Sequence, residues 1–267
     1  MNRALGVVAI TFLVPVIACA SSSGATNDSS TSQQPSQKTA DGAADPLSSL
    51  TFMRQGAAYM QQGRYAEALT SFEQANRIAP GNATNENMIG LCHLNMGTYD
   101  KALAAFTAAL ELIPGFTDAR NNRGATYLAM GQLHLAEMDF VAVLADSTYP
   151  HRRQVHYNLG LTYLQRNQLG AAEENFRKSI TPPNPVFDGY LQLARIAQMQ
   201  GELDRAKSLL EEARLQFPEN TTVAFELGKL LILMGDEQSA RPYLEKVIAD
   251  APNSTEAATA RQLLGTT

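Results

Sequence analysis

The sequence predicts an all-α fold, a superhelical array of six helix-turn-helix repeats closed by a C-terminal capping helix. The first observation behind this is periodicity. Gly63-Arg64-Tyr65 with Ala68 recurs as Gly97-Thr98-Tyr99 with Ala102, Gly131-Gln132-Leu133 with Ala136, and Asn167-Gln168-Leu169 with Ala172. It recurs again as Gly201-Glu202-Leu203 with Ala206 and Gly235-Asp236-Glu237 with Ala240, at spacings of 34, 34, 36, 34 and 34 residues. The second is composition: of 267 residues 7% are aromatic, none is tryptophan and 18% are charged. Ala, Leu, Met and Gln are plentiful, which suits helices better than strands. The third is punctuation, with Pro80, Pro114, Pro150, Pro218 and Pro252 closing most units and Pro182, Pro183 and Pro185 around the fourth boundary.

The chain opens with Met1-Asn2-Arg3 and an apolar run from Ala4 to Ala18. About fifteen apolar residues are too few to span a bilayer, which takes roughly 20. A basic start, an apolar stretch and small residues at its end describe a secretory signal peptide over 1–18. The run closes on Val16-Ile17-Ala18-Cys19, which resembles the lipobox of bacterial lipoproteins, with Val16 where Leu is commoner. The resemblance implies cleavage before Cys19 and acylation of that residue. Ordinary cleavage near Ala18 or Ala20 is the alternative, and it leaves an unanchored protein. More than one acyl chain anchors stably, because each buried methylene contributes about 0.8 kcal/mol. Ala20 stands where, in the resembled family, Asp favours inner-membrane retention, so the outer membrane facing the periplasm is the implied location.

Residues 19–46 are rich in Ser, Thr, Gln, Asn, Gly and Asp. Such a segment buries too little apolar surface to offset its ordering entropy, so a disordered polar tether is expected. Treated as a flexible coil, it reaches roughly 30 Å.

The repeats occupy 47–267. Seven residues before each landmark stands a small residue: Gly56, Gly90, Gly124, Gly160, Ala194 and Gly228. Four residues after each alanine stands a large one: Phe72, Phe106, Phe140, Phe176, Leu210 and Leu244. Small residues let two helices approach, the large one fills the space beside them, and proline ends the second helix. First helices are expected near 49–61, 83–95, 117–129, 151–166, 186–199 and 220–233. Their partners are expected near 65–78, 99–112, 133–145, 169–180, 203–216 and 237–250, with a capping helix over 253–264. A two-residue expansion falls at 147–153, with Tyr149, His151, Arg152 and Arg153; it reads either as a longer loop or as a docking bump.

These landmarks resemble the tetratricopeptide repeat over about 205 residues. In that family a groove is formed by residues three before, and one and four after, the small position. The resemblance carries this role to Met53, Ala57 and Met60, to Asn87, Leu91 and Leu94, to Asn121, Ala125 and Leu128, and to Tyr157, Leu161 and Leu164. Repeats five and six contribute Leu191, Arg195 and Gln198, then Phe225, Lys229 and Ile232. Leu94, Leu128 and Leu164 read equally as core. No cation stands at these positions in the first four repeats, so the carboxylate clamp of chaperone-binding members is missing. An apolar peptide or amphipathic helix is the expected ligand.

Chemistry is sparse. His93, His134, His151 and His156 are scattered, and His93 takes the place of Tyr59, Tyr127 and Tyr163, as a packing residue would. Cys92 reads as a buried thiol, and two cysteines make neither a disulfide framework nor a zinc cluster. The Glu173-Glu174 and Glu211-Glu212 pairs read as solvated faces. There is no His-Glu-x-x-His, glycine-rich phosphate loop or Gly-x-Ser-x-Gly. A net charge of -5 argues against a broad nucleic-acid surface. No enzyme activity, metal, cofactor or small-molecule substrate is expected.

Lipobox, polar tether and six repeats together resemble the pilotin lipoproteins of type IV pilus systems. This implies an outer-membrane scaffold, anchored by lipid at Cys19, that binds a secretin segment in its groove and promotes secretin assembly. The alternative is a lipoprotein adaptor for peptidoglycan hydrolases or synthases, or for another envelope complex.

Overall fold

The computed structural model describes residues 46–265, and these form thirteen α-helices without a strand. The signal peptide expected over 1–18, Cys19 and the tether up to residue 45 lie outside the described residues. The helices run α1 Pro46–Gln61, α2 Tyr65–Ile78, α3 Ala83–Asn95, α4 Tyr99–Leu112, α5 Thr117–Ala129 and α6 Leu133–Leu144. They continue as α7 Arg152–Gln165, α8 Leu169–Ser179, α9 Phe187–Met199, α10 Leu203–Gln216, α11 Thr221–Leu233, α12 Glu237–Asp250 and α13 Thr255–Leu264. Six helix pairs and a capping helix follow in the expected order. No described helix is long and apolar enough to cross a membrane.

The described residues divide into two compact units, separated between Pro114 and Gly115. In the first, α1 packs on α2, α2 on α3, and α3 on α4. Met60, Phe72, Leu91, Cys92 and Phe106 share its core with Ala68, Ala102 and Ala105. In the second, successive helices from α5 to α13 pack in the same way. Leu210, Leu227, Leu230, Leu231 and Leu244 form the core of its last repeats, and Ala260 of α13 covers the end.

The landmark motif is a helix cap. In the second repeat the N–H of Thr98 bonds to the carbonyl of His93 at 2.9 Å and that of Gly97 to Leu94 at 3.1 Å. This double closure needs a left-handed residue between the helices, and Gly97 has φ 72°. The fourth repeat meets the same demand with Asn167, whose φ is 58°. Asparagine is among the few side chains that tolerate this region.

The small residue answers to the ring opposite. A Cβ on Gly90 would lie 2.5 Å from the Phe106 ring, and one on Gly160 2.6 Å from that of Phe176. Only glycine lets these helices close on a buried phenyl group. In the fifth repeat a smaller Leu210 faces Ala194 and the methyl is accommodated, with exposures of 1% and 2%.

Proline sets the ends of α2, α4, α10 and α12, which fall where the sequence places them. A residue before proline is pushed out of the helical region. Ala79, Ile113, Phe217 and Ala251 accordingly have φ between -132° and -138°. Each of these helices therefore stops two residues before its proline. Helices α6 and α8 end at Leu144 and Ser179, one residue short of the expected limits, and α7 begins one residue late at Arg152.

Candidate protein-interaction surface

The expected groove residues differ in what they present. In the first unit, Met53 is half-buried with its sulfur 3.9 Å from the Asn82 amide nitrogen, and Ala57 is exposed. Met60, by contrast, is 3% exposed and packs in the core. Asn87 and Leu91 show only their edges, at 3% and 8%. Met60 is therefore an interior residue, because the neighbouring helix pair covers the side of α1 that carries it.

In the second unit, Asn121 is half-buried and its side-chain oxygen accepts no hydrogen bond from the chain. Ala125 and Tyr157 are buried at the margin of the surface, at 9% and 7%. Leu161, at 2%, is core, and so is Leu128. Leu94 and Leu164 are half-buried. Burial pushes the Tyr157 hydroxyl up to about 12, with the Asp188 carboxylate adding to the shift. Asp188 itself reaches water, yet the protein around it strips part of its hydration and raises its carboxyl above the ordinary range.

Towards the end of the second unit the character changes, as the sequence indicates. Arg195 is exposed on α9, while Lys229 lies 4.9 Å over the Phe225 ring and 3.0 Å from Glu226. With Glu226 in place, Lys229 is not a free cation. Leu191, Gln198 and Ile232 are half-buried, and Phe225 is 8% exposed.

The remaining polar groups are ties within and between repeats. Arg123 makes a bidentate pair with Asp139 at 2.8 and 2.9 Å. Tyr163 donates to Glu137 at 2.8 Å, and Arg166 pairs with the same carboxylate. Glu174 is exposed and paired with Lys178, as a solvated face would be. Glu173 is not: its side chain is 18% exposed and bridges Arg177 and Arg205, joining α8 to α10. Glu212 is exposed, as a solvated face would be, and also accepts from the buried Tyr190 hydroxyl at 3.0 Å. Adjacent glutamates on one helix point in different directions, so on α8 Glu174 faces solvent while Glu173 ties two helices together.

The expansion at 147–153 is a self-satisfied loop. Tyr149 is 8% exposed and donates to Asp118 at 2.8 Å. Arg152 donates to the carbonyls of Leu144 and Asp146, both at 2.6 Å, and Arg153 to those of Thr181 and Pro182. Tyr149 and Arg152 thus tie the loop to the third repeat, and Arg153 ties the start of α7 to the segment that follows α8. His93 is buried with its Nδ1 2.9 Å from the Thr98 hydroxyl. Cys92 is fully buried, and burial pushes its thiol up to about 12. Neither has the geometry of a catalytic group. No cluster of three metal-ligating side chains exists among the described residues.

Four tetratricopeptide-repeat models match the chain, at residues 49–82, 87–116, 121–185 and 197–264, together most of its length. BBSome complex member BBS4 of Bos taurus is 26% identical over 104 residues, 39% of this chain, and the chain spans only 20% of that relative. Among solved structures, PilW, a widely conserved type IV pilus biogenesis factor, is similar with a TM-score of 0.70 and 23% identity, over 79% of this chain and 97% of that one. PilF of Pseudomonas aeruginosa is similar at 0.68 and 20% identity, over 81% and 97% of the two chains. A tetratricopeptide repeat protein from Parabacteroides merdae gives 0.62 and 20% identity, over 82% and 88%. At such identities these structures speak for the fold alone. Repeat landmarks, helix pairing and family matches agree, and the chain belongs to the tetratricopeptide-repeat family.

Proposed function

We propose that this protein is a non-enzymatic scaffold, anchored in the outer membrane through lipid on Cys19, that captures a secretin segment and promotes secretin assembly for type IV pili. The observation that carries the pilus reading is the extent of the fold match: the repeat array accounts for 97% of both PilW and PilF. The surface chemistry supports a peptide ligand. Met53 and Ala57 offer apolar area in the first unit, and the edges of Ala125 and Tyr157 do so in the second. Capture at a membrane-tethered surface raises the local concentration of subunits, which favours multimer formation without any new contact. The step is non-covalent, and Cys19 is the one residue with a chemical role.

Deleting the gene tests this reading. Loss of secretin multimers and of surface pili, with normal cell shape, is expected. Intact multimers beside altered cell-wall turnover would instead favour an adaptor for peptidoglycan hydrolases or synthases. The anchor is tested separately: Cys19→Ser should release the protein from sedimented membranes, and retention there would refute lipidation.

A further inference from the structure

In the second unit one register position is charged in three successive repeats. Six residues after the landmark stand Leu69 and Leu103 in the first unit, then Glu137, Glu173 and Lys207 in the second. Leu69 is half-buried against its apolar core. The charged residues instead reach the next repeat, close to the turn between its two helices. Glu137 of α6 pairs with Arg166, the residue before Asn167, and accepts from Tyr163 at 2.8 Å. Glu173 of α8 pairs with Arg205, which is also held by Glu202 at 2.7 Å. Lys207 of α10 acts across the following joint on Asp236, the N-cap of α12. Hydrogen bonds from the Ser239 hydroxyl and amide hold the Asp236 carboxyl low, and the Lys207 charge adds to this.

We propose that these three rungs form an ionic ladder that sets how readily the joints of the second unit open, so that its flexibility follows ionic strength. A single exposed ion pair contributes little. These pairs are partly shielded, with Glu173 and Arg205 side chains 18% and 29% exposed and those of Glu137 and Arg166 25% and 32%. They also stand at consecutive joints, and in a repeat array the strength of each joint adds to that of the next. The first unit offers a contrast, because side-chain amides tie α2 to α3 there. Asn76 donates to Glu86 and Asn85 to the Phe72 carbonyl, both at 2.9 Å. The ladder is independent of any ligand. Ala125 and Tyr157 belong to the two repeats that its first rung joins, so salt alters how firmly they are held together even in the free protein.

The test is amide hydrogen exchange of the full chain in detergent, in about 0.1 M and about 1 M sodium chloride. Between these the screening length falls from roughly 10 Å to roughly 3 Å. Protected amides of α6 to α10 should exchange at least about threefold faster at high salt, while those of α2 and α3 change little. Glu137→Gln should remove the response around α6 and α7, and Glu173→Gln that around α8 and α10, with circular dichroism unchanged. Equal responses in the two units, no response in either, or a response that survives both substitutions overturns the proposal.

Discussion

Asn167 shows what the repeat demands of a single residue. The cap between paired helices requires a left-handed backbone, and Asn167 supplies it at φ 58° without being glycine. Asn167→Ala should cost about 1 kcal/mol in urea denaturation, because a methyl side chain has no local hydrogen bond to offset the left-handed strain. Asn167→Gly should cost nothing measurable. The opposite constraint acts at Gly90, where a methyl would sit 2.5 Å from the Phe106 ring. Gly90→Ala should destabilise by about 1–3 kcal/mol, the usual range for overpacking. Combining it with Phe106→Leu should cost less than the sum of the two single changes, since Ala194 and Leu210 already coexist in the fifth repeat.

At the scale of elements, helix positions were legible in the sequence because their determinants are local. Landmark, small residue, large residue and proline all lie within one repeat, and the ends of α6 and α8 moved by a single residue. Surface character was not legible, because it depends on what the adjoining helices cover. Ala57 and Leu161 hold the same register position, yet one is exposed and the other 2% exposed. The inter-repeat ties were hidden for the same reason, since Glu173 and Arg205 are 32 residues apart and meet only when α8 and α10 stack. Partial burial raises the Glu173 carboxyl, but its bonds to Arg177 and Arg205 outweigh this and leave it below its usual value. Its contribution is therefore present at neutral pH and lost as the pH falls through the carboxylate range. His156 adds to the loss at higher pH: burial depresses its imidazole despite the Asn175 bond, so its unfolded form binds the proton first. Stability should fall progressively on acidification below neutrality. In acid titrations followed by circular dichroism, His156→Gln should flatten the early part of that fall and Glu173→Gln the late part. Curves that superimpose on the unaltered protein would show that neither tie matters.

At the scale of the whole molecule, the proposed function joins an anchor on Cys19 to a repeat scaffold whose surface takes a peptide. The sequence located the helices that carry this surface but overstated its lining: Met60, Leu128 and Leu161 belong to the interior, which leaves Met53, Ala57 and the edges of Asn87 and Leu91 in the first unit, and Asn121, Ala125 and Tyr157 in the second, as the contact candidates. Aspartate at Leu161 would therefore unfold the repeat and say nothing about binding, since an unpaired charge cannot be buried without large cost. Ala57→Arg and Ala125→Arg act at the surface or its margin and are the informative changes. The most direct measurement is calorimetric titration of the purified full chain with the periplasmic part of its secretin. Saturable binding is predicted, weakened at least tenfold by Ala57→Arg in the first unit or by Ala125→Arg in the second while helicity is unchanged. An absence of heat at high concentration, or full affinity in both singly substituted chains, would contradict capture of secretin by the repeats.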